Sequence, residues 1–298
     1  MQKSIAFCNG AFLPIEEASI SIMDRGFYFG DGVYDVVMAF NHIPFALDDH
    51  LDRFAYSARE LEIDCPYDRD VLARLIQEGI SQVEGDELIV YFQLTRGAAP
   101  RRHAFPPSGT PPTFMMTVRP HRFGERDCVQ GLRSKLFDDI RWGRCDIKTL
   151  NLIPNTFFMQ KALEQGYDDA LFAREGLVTE CAASTMYIVK DGVLRTHPLT
   201  HAILPGTTRK HILQLASQLA LSVEERAFTT EELFSADEAF CSDVTHRPAP
   251  VVSVDDRPIA DGRPGPVTRA LQRAYHARVV AACGPTYFDA SLSESKGV

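Results

Sequence analysis

Two unbroken β-type runs, VYDVVMAF (33–40) and ELIVYFQLT (87–95), constrain this chain most, because two helical segments lie between them. Strands so rich in β-branched and aromatic residues need a sheet with something packed against it. The intervening DDHLDRFAYSARELEI supplies that cover: Leu51, Phe54, Ala58 and Leu61 form one apolar helical stripe, with entry expected through Asp48 or Asp49. A second helix is expected from about Asp68 to Val83. Asn9-Gly10, between SIAFC and AFLPI, predicts a type I′ hairpin, since both central residues must accept positive φ. Asp24-Arg25-Gly26 reads as a turn. RGAAPRRHAFPPSGTPP reads as an irregular loop before the returning strand PTFMMTVRP.

The stretch from His121 to Gln130 is polar and aperiodic, and an interdomain linker is expected there. Beyond it strands and helices mix. SKLFDDIRW and the pair DDALFAR and LVTECAASTMYIV read as strands, and NTFFMQKALEQ as a helix stopped by Gly166. Thr207 opens a helix in TTRKHILQLASQLAL, and Thr229 to Glu232 carry a capping-box signature. EAFCSDV and PVVSV are further strands, a long helix runs from about Pro266 to Cys283, and SLSESKGV is expected as a frayed tail. These patterns imply the α+β class with two domains: an N-terminal α/β domain over 1–120, a linker over 121–132, and a larger C-terminal domain over 133–298.

Composition narrows the function. With 298 residues and a net charge of −9, the chain is a poor non-specific nucleic-acid binder, and no apolar run reaches the roughly 18 residues of a membrane span. The N-terminal MQKSIAFCNGAFLP alternates like a strand rather than forming a signal peptide. Seven scattered cysteines without CxxC spacing suggest reduced thiols, neither a disulfide framework nor a metal site, and hence a cytoplasmic protein.

Several charged residues stand in unusual company. Lys148 interrupts the apolar segment CDIKTLNLIPN, and a lysine held among apolar neighbours can serve as nucleophile or Schiff-base former. Glu180 sits in LVTECAASTMYIV, a strand otherwise without charge, where a carboxylate needs a positive partner. Arg101, Arg102 and His103 occupy a loop after a buried strand, an arrangement suited to a carboxylate. Arg53 lies inside an amphipathic helix, one position before Phe54. Gly206-Thr207-Thr208-Arg209 opens a helix, where free N–H groups and the macrodipole attract phosphate. Each feature alone also fits a structural role: a snorkelling lysine, a solvated basic loop, an ordinary helix start.

Their order, however, resembles that of the fold-type IV (class IV) aminotransferases, which depend on pyridoxal 5′-phosphate (PLP). DRGFYFGDGVYDVV is similar to that family's N-terminal signature, DIKTLN to the stretch around its cofactor lysine, LVTECAAS to that around its pyridine-binding glutamate, and ILPGTTR to its phosphate loop. The resemblance implies a β-barrel-like C-terminal domain and a homodimer. It implies PLP held on Lys148 as a Schiff base, with Lys148 as the catalytic proton carrier. Glu180 would meet the pyridine nitrogen, Leu204 would pack on the ring, and Arg53, Thr207 and Thr208 would hold the phosphate.

Within the class, YFQLTRGAAPRRHAFP and DIRWGRCDIKTLNL resemble the branch acting on D-amino acids of the D-alanine and D-glutamate type. That implies a carboxylate trap of Arg101, His103 and Tyr34, with Val36 and Met38 on the same active-site strand. The expected reaction is ping-pong transfer between a D-amino acid and a 2-oxo acid. The alternatives are an (R)-amine or branched-chain L-amino acid aminotransferase, or less closely an aminodeoxychorismate lyase. CSDVTHRPAP departs from the family pattern, placing Val244, beside Thr245, where a phosphate-binding hydroxyl is usual.

Overall fold

The computed structural model describes residues 3–122 and 125–286; the expected tail SLSESKGV lies outside the described residues. The chain forms two compact units. The first comprises the described residues up to Arg122 together with Ile147–Asn151 and Ala281–Thr286. The second comprises the other described residues. Lys148 thus belongs with the N-terminal sheet although it lies far along the chain.

The first unit is built on six antiparallel strands: β1 (Ile5–Cys8), β2 (Ala11–Pro14), β3 (Gly32–Phe40), β4 (Ile43–Pro44), β5 (Glu87–Thr95) and β6 (Thr113–Pro120), ordered β2-β1-β6-β5-β3-β4. Asn9 and Gly10 take φ of 54° and 83°, as the hairpin between β1 and β2 requires. A five-residue helix, α1 (Arg25–Phe29), replaces the turn expected at Asp24 to Gly26. Asp24 caps it by accepting from the Gly26 N–H, and a helix of one turn is too short to show periodicity.

The covering helices are α2 (Leu47–Glu60) and α3 (Arg69–Gln82). Asp68, the expected start of this helix, caps α3 by accepting from the Val71 N–H. Entry to α2 differs from expectation: Ala46, at φ 55°, is the capping position, and Asp48 and Asp49 fall in the first turn. There their charge favours the helix through its dipole rather than by capping. Val33, Val37, Phe54, Ile76, Ile80 and Phe92 fill the core between sheet and helices. Burying such a side chain contributes about 1.5–3 kcal/mol, which is what fixes the sheet register.

The second unit contains α4 (Glu125–Gln130), α5 (Ile153–Glu164), α6 (Thr207–Gln218), α7 (Thr230–Phe234) and α8 (Pro266–Cys283), whose last residues belong to the first unit. The short α4 occupies the stretch expected to be an aperiodic linker; six residues cannot display a helical period. Its nine strands are β7 (Leu132–Asp138), β8 (Asp169–Arg174), β9 (Leu177–Cys181), β10 (Thr185–Lys190), β11 (Val193–Thr196), β12 (Ser222–Glu225), β13 (Glu238–Asp243), β14 (Arg247–Val254) and β15 (Arg257–Pro258). They run in the order β12-β11-β10-β13-β14-β7-β8-β9, with β15 on β14. LVTECAASTMYIV, expected as one strand, is two. At Ala182–Ser184 the chain turns, and the Cys181 N–H donates to the Ser184 carbonyl at 2.8 Å. This brings β9, last in the sheet path, back beside β10 and curls the sheet into a half-barrel.

Candidate active site

Ile147–Asn151 is stitched onto the start of β3. The Tyr34 N–H donates to the Lys148 carbonyl at 3.0 Å, and the Leu150 N–H donates to the Gly32 carbonyl at 3.0 Å. The approach is close enough to require glycine: a Cβ on Gly32 would lie 2.6 Å from the Leu94 carbonyl oxygen and 2.9 Å from Leu150. The half-buried Lys148 side chain then reaches Tyr34, its Nζ donating to the phenol oxygen at 3.4 Å and lying 4.4 Å from the ring centroid. Because strand neighbours alternate, Tyr34, Val36 and Met38 share one face of β3, and Asp35 points to the other, towards α2. Met38 is buried, and Tyr34 stacks on Tyr91 of β5 at 5.5 Å.

On the helix side Asp35 is fully buried and meets Arg53 and His50 of α2. Arg53 donates from Nε at 2.9 Å and from Nη2 at 2.8 Å, and His50 Nδ1 lies 2.8 Å from the same carboxylate. Burial alone would raise the Asp35 carboxyl, but Arg53 and His50 hold it well below the usual carboxylate range. Part of the Arg53 guanidinium, expected to hold phosphate, is therefore committed to Asp35. Sequence reasoning passed over Asp35, although it is the lone charge in VYDVVMAF, the same signal that drew attention to Glu180.

Arg101 and His103 are exposed on the loop between β5 and β6. Both lean on Phe29 of α1, with the Arg101 guanidinium carbon 5.0 Å and the His103 ring 5.7 Å from its centroid.

Glu180, Leu204, Thr207 and Thr208 belong to the second unit. The carboxylate of Glu180, on β9, accepts from Arg141 Nη1 through one oxygen and from the Leu204 N–H at 3.1 Å through the other. Arg141 is shared: its Nε and Nη2 donate to Asp139 at 2.9 and 2.8 Å. Burial pushes Glu180 up, and the divided attention of Arg141 does not bring it back. The interior carboxylate Asp139 is held low against its own burial by Arg141. Arg141 was missed because its partners lie 39 and 2 residues away, and only the fold reveals the longer pairing.

At the start of α6, Thr207 and Thr208 are buried, and among the described residues no side chain caps the helix at Gly206. Such an N-terminus presents backbone donors to an anion. Arg209 turns away, donating to the His197 carbonyl at 2.9 Å and to Glu225 at 2.8 Å. Val244 and Thr245 lie in the turn between β13 and β14. Asp243 organises that turn by accepting from the Thr245 hydroxyl at 2.7 Å and the His246 N–H at 2.7 Å. The negative partner pushes the His246 imidazole up to about 10. The cysteines, scattered in sequence, are not all isolated: Cys181, Cys241 and Asp169 place side-chain atoms within 4.8 Å of one another inside the second unit. Burial raises Asp169 to about 7, while Cys241 and burial together raise the Cys181 thiol, so the cluster favours its neutral, protonated forms.

Comparison with known proteins decides what this chemistry belongs to. Residues 32–254 match the family described as amino-transferase class IV. The chain belongs to that family. Among class IV relatives, a D-alanine aminotransferase of Bacillus licheniformis is 39% identical over 278 residues, covering 93% of this chain and 98% of the relative. A D-alanine aminotransferase of Listeria monocytogenes is 37% identical over 283 residues, covering 94% and 98%. Among solved structures, the branched-chain amino acid aminotransferase of Escherichia coli superposes with a TM-score of 0.85 at 25% identity, covering 93% of this chain and 94% of that one. A branched-chain amino acid aminotransferase of T.th., solved with pyridoxamine 5′-phosphate, gives 0.85 at 25% identity, covering 97% of both chains. The fold-type IV architecture anticipated from the motifs is thus the one observed, and class IV enzymes use PLP.

Proposed function

We propose that this class IV enzyme transfers the amino group of a D-amino acid to a 2-oxo acid, with PLP carried on Lys148. The observation that carries the reading is the anchorage of Lys148: its backbone is fixed to β3 while its amine stands beside the Tyr34 phenol. The curated D-alanine aminotransferases, similar over nearly the whole chain, support D-amino acids as substrates.

The residues present fit the cofactor. Glu180 is a buried carboxylate raised above its ordinary range, which a protonated ring nitrogen would satisfy. The uncapped N-terminus of α6, with the Thr207 and Thr208 hydroxyls, suits a phosphate; Arg53 of the first unit would add its guanidinium, as the family resemblance implies. Leu204, whose N–H holds Glu180, would pack on the ring. Bound there, PLP supplies an electrophilic carbon and a ring that accepts the electron pair left at the substrate α-carbon. Lys148 Nζ, released from the cofactor by the incoming amine, would carry the proton between the substrate α-carbon and the cofactor carbon that keeps the amino group, with the Tyr34 hydroxyl orienting the amine. Arg101 and His103 bind the substrate carboxylate, which fixes which hydrogen faces Lys148. Val36 and Met38, on the Tyr34 face of β3, line the side-chain region, and Val244 and Thr245 would offer main-chain donors to the phosphate.

We also infer a homodimer working in a reducing, cytoplasmic setting. Support comes from large apolar side chains left open to solvent in the single chain, Phe27 and Ile153 each at 80% exposure, and from seven free thiols. Among the described residues no helix is long and apolar enough to cross a membrane.

Titrating the purified holoenzyme with paired amino acids tests the substrate. D-alanine or D-glutamate should bleach the cofactor absorbance and L-forms should not. Bleaching by L-leucine or L-glutamate alone would instead support the branched-chain reading, the activity for which the solved structures at 25% identity are named.

A further inference from the structure

The loop bearing Arg101 and His103 presents a problem that the proposed carboxylate site must solve. Residues 101–105 are all exposed, and an exposed arginine that must be ordered on binding loses affinity for its ligand. The structure shows this loop already fastened, and the fastening residues come from the DRGFYFGD segment and the end of β5.

Arg25 is the centre of the arrangement. Although charged, it is only 3% exposed. Its Nη1 donates to the carbonyls of Arg102 at 2.7 Å and Ala104 at 3.2 Å, the two residues flanking His103. Its Nε donates to Asp31 at 2.7 Å. Asp31 also accepts from Arg96 Nε, at 3.0 and 3.1 Å to its two oxygens. Arg96 in turn donates to the carbonyls of Glu62 at 2.8 Å and Leu61 at 2.6 Å, and its guanidinium carbon lies 3.7 Å from the Phe105 ring centroid. The neck of the loop is pinched at Gly97, φ 88°, where a Cβ would fall 2.0 Å from the Pro111 carbonyl oxygen.

Phe29 provides the second element. Its ring takes the Arg25 guanidinium carbon at 4.8 Å and that of Arg101 at 5.0 Å, with the His103 ring at 5.7 Å. A cation over an aromatic face is attracted by the ring's quadrupole, at an exposed site as well as a buried one. One aromatic ring therefore sets the position of both groups assigned to the carboxylate.

We propose that Arg25, Asp31 and Arg96 form a clamp, with Phe29 as its platform, that positions Arg101 and His103 to receive the substrate carboxylate. This rests on the reading of Arg101 and His103 given above. The clamp residues touch no substrate; they are positioning residues, and their effect is on binding of carboxylate-bearing substrates.

The test uses the holoenzyme and the variants Phe29→Leu, Phe29→Tyr, Asp31→Asn and Arg101→Ala. Three quantities are measured: KM and kcat for D-alanine, and the rate at which hydroxylamine, a nucleophile without a carboxylate, reacts with the bound cofactor. Phe29→Leu and Asp31→Asn are expected to raise the KM for D-alanine about tenfold, with kcat within about twofold of the parent and the hydroxylamine rate unchanged. Phe29→Tyr, which keeps the ring, restores the parental KM. An unchanged KM in Phe29→Leu, whose half-buried ring can be replaced without opening the core, overturns the clamp. So does a parallel change in hydroxylamine rate, because that marks a general structural defect. If Arg101→Ala itself leaves KM unaltered, the carboxylate reading fails first and the clamp falls with it.

Discussion

Each unit buries one strand carboxylate against an arginine, and the two behave in opposite ways. Asp35 takes two hydrogen bonds from one edge of Arg53 and has His50 besides, and its carboxyl is held well below the usual range. Glu180 receives one arm of Arg141 and one backbone N–H, while Asp139 takes the rest of that guanidinium, and its carboxyl is raised. In the first the carboxylate is fully answered within the chain, by two N–H groups of Arg53 and by His50. The second is a buried carboxylate that still favours a further positive partner. A buried ion pair is thus no guide to function by itself; what matters is how completely each charge is answered.

The largest effect should follow from breaking the first pair. Asp35→Asn leaves Arg53 charged in the interior, and removing one partner of a buried pair costs about 3–5 kcal/mol. An unfolding free energy from urea titration within about 1 kcal/mol of the parent would show that Asp35 is held less tightly than its geometry implies. Glu180→Gln should behave differently. Arg141 keeps Asp139, so stability should change by about 1 kcal/mol or less, while kcat falls about 10²–10³-fold through lost electrostatic stabilisation. A large loss of stability with activity retained would invert the contrast.

The pH dependence of the cofactor-free protein separates the two carboxyls by sign. Asp35 is depressed below its ordinary 3.8, so its contribution is present above that value and is lost as pH falls through the folded-state midpoint. Glu180 is raised above its ordinary 4.5, so its contribution is present below that value and is lost as pH rises through its folded-state midpoint. Thermal unfolding against pH should therefore show a shallower acid limb in Asp35→Asn and a shallower decline above pH 4.5 in Glu180→Gln. The smallest expected change is in Asp139→Asn, which frees Arg141 for Glu180. The Glu180 carboxyl midpoint, followed by infrared absorbance, should move down. An upward move would show that Asp139 supports Glu180 rather than competing with it.

Much of the fold could be read from local pattern. The Asn9-Gly10 hairpin, the stripe of α2, the start of α3 near Asp68 and the Thr229 to Glu232 capping box all depend on residues a few positions apart. What escaped was short or tertiary: α1 and α4 are too brief for a period to show, and the split between β9 and β10 depends on a turn of small residues, Ala182 to Ser184. The site divides along the same line. Lys148 was visible as a lysine interrupting an otherwise apolar segment and Glu180 as a lone charge in a strand, and Asp35 carried the latter mark unused. Arg141 and Arg25 were invisible because their partners are 39 and 77 residues distant. The meeting of Cys181 and Cys241 with Asp169 has no counterpart in sequence spacing, since sheet topology creates it.

All of these contrasts presuppose that Lys148 is the group that holds the cofactor. Reducing the holoenzyme with borohydride fixes PLP to whichever amine carries it, and peptide mass spectrometry then locates that amine. The cofactor's mass is expected on the peptide containing Lys148, and is expected to disappear from that peptide after prior bleaching with D-alanine. Label on any other lysine, or on Lys148 undiminished by D-alanine, would contradict the assignment.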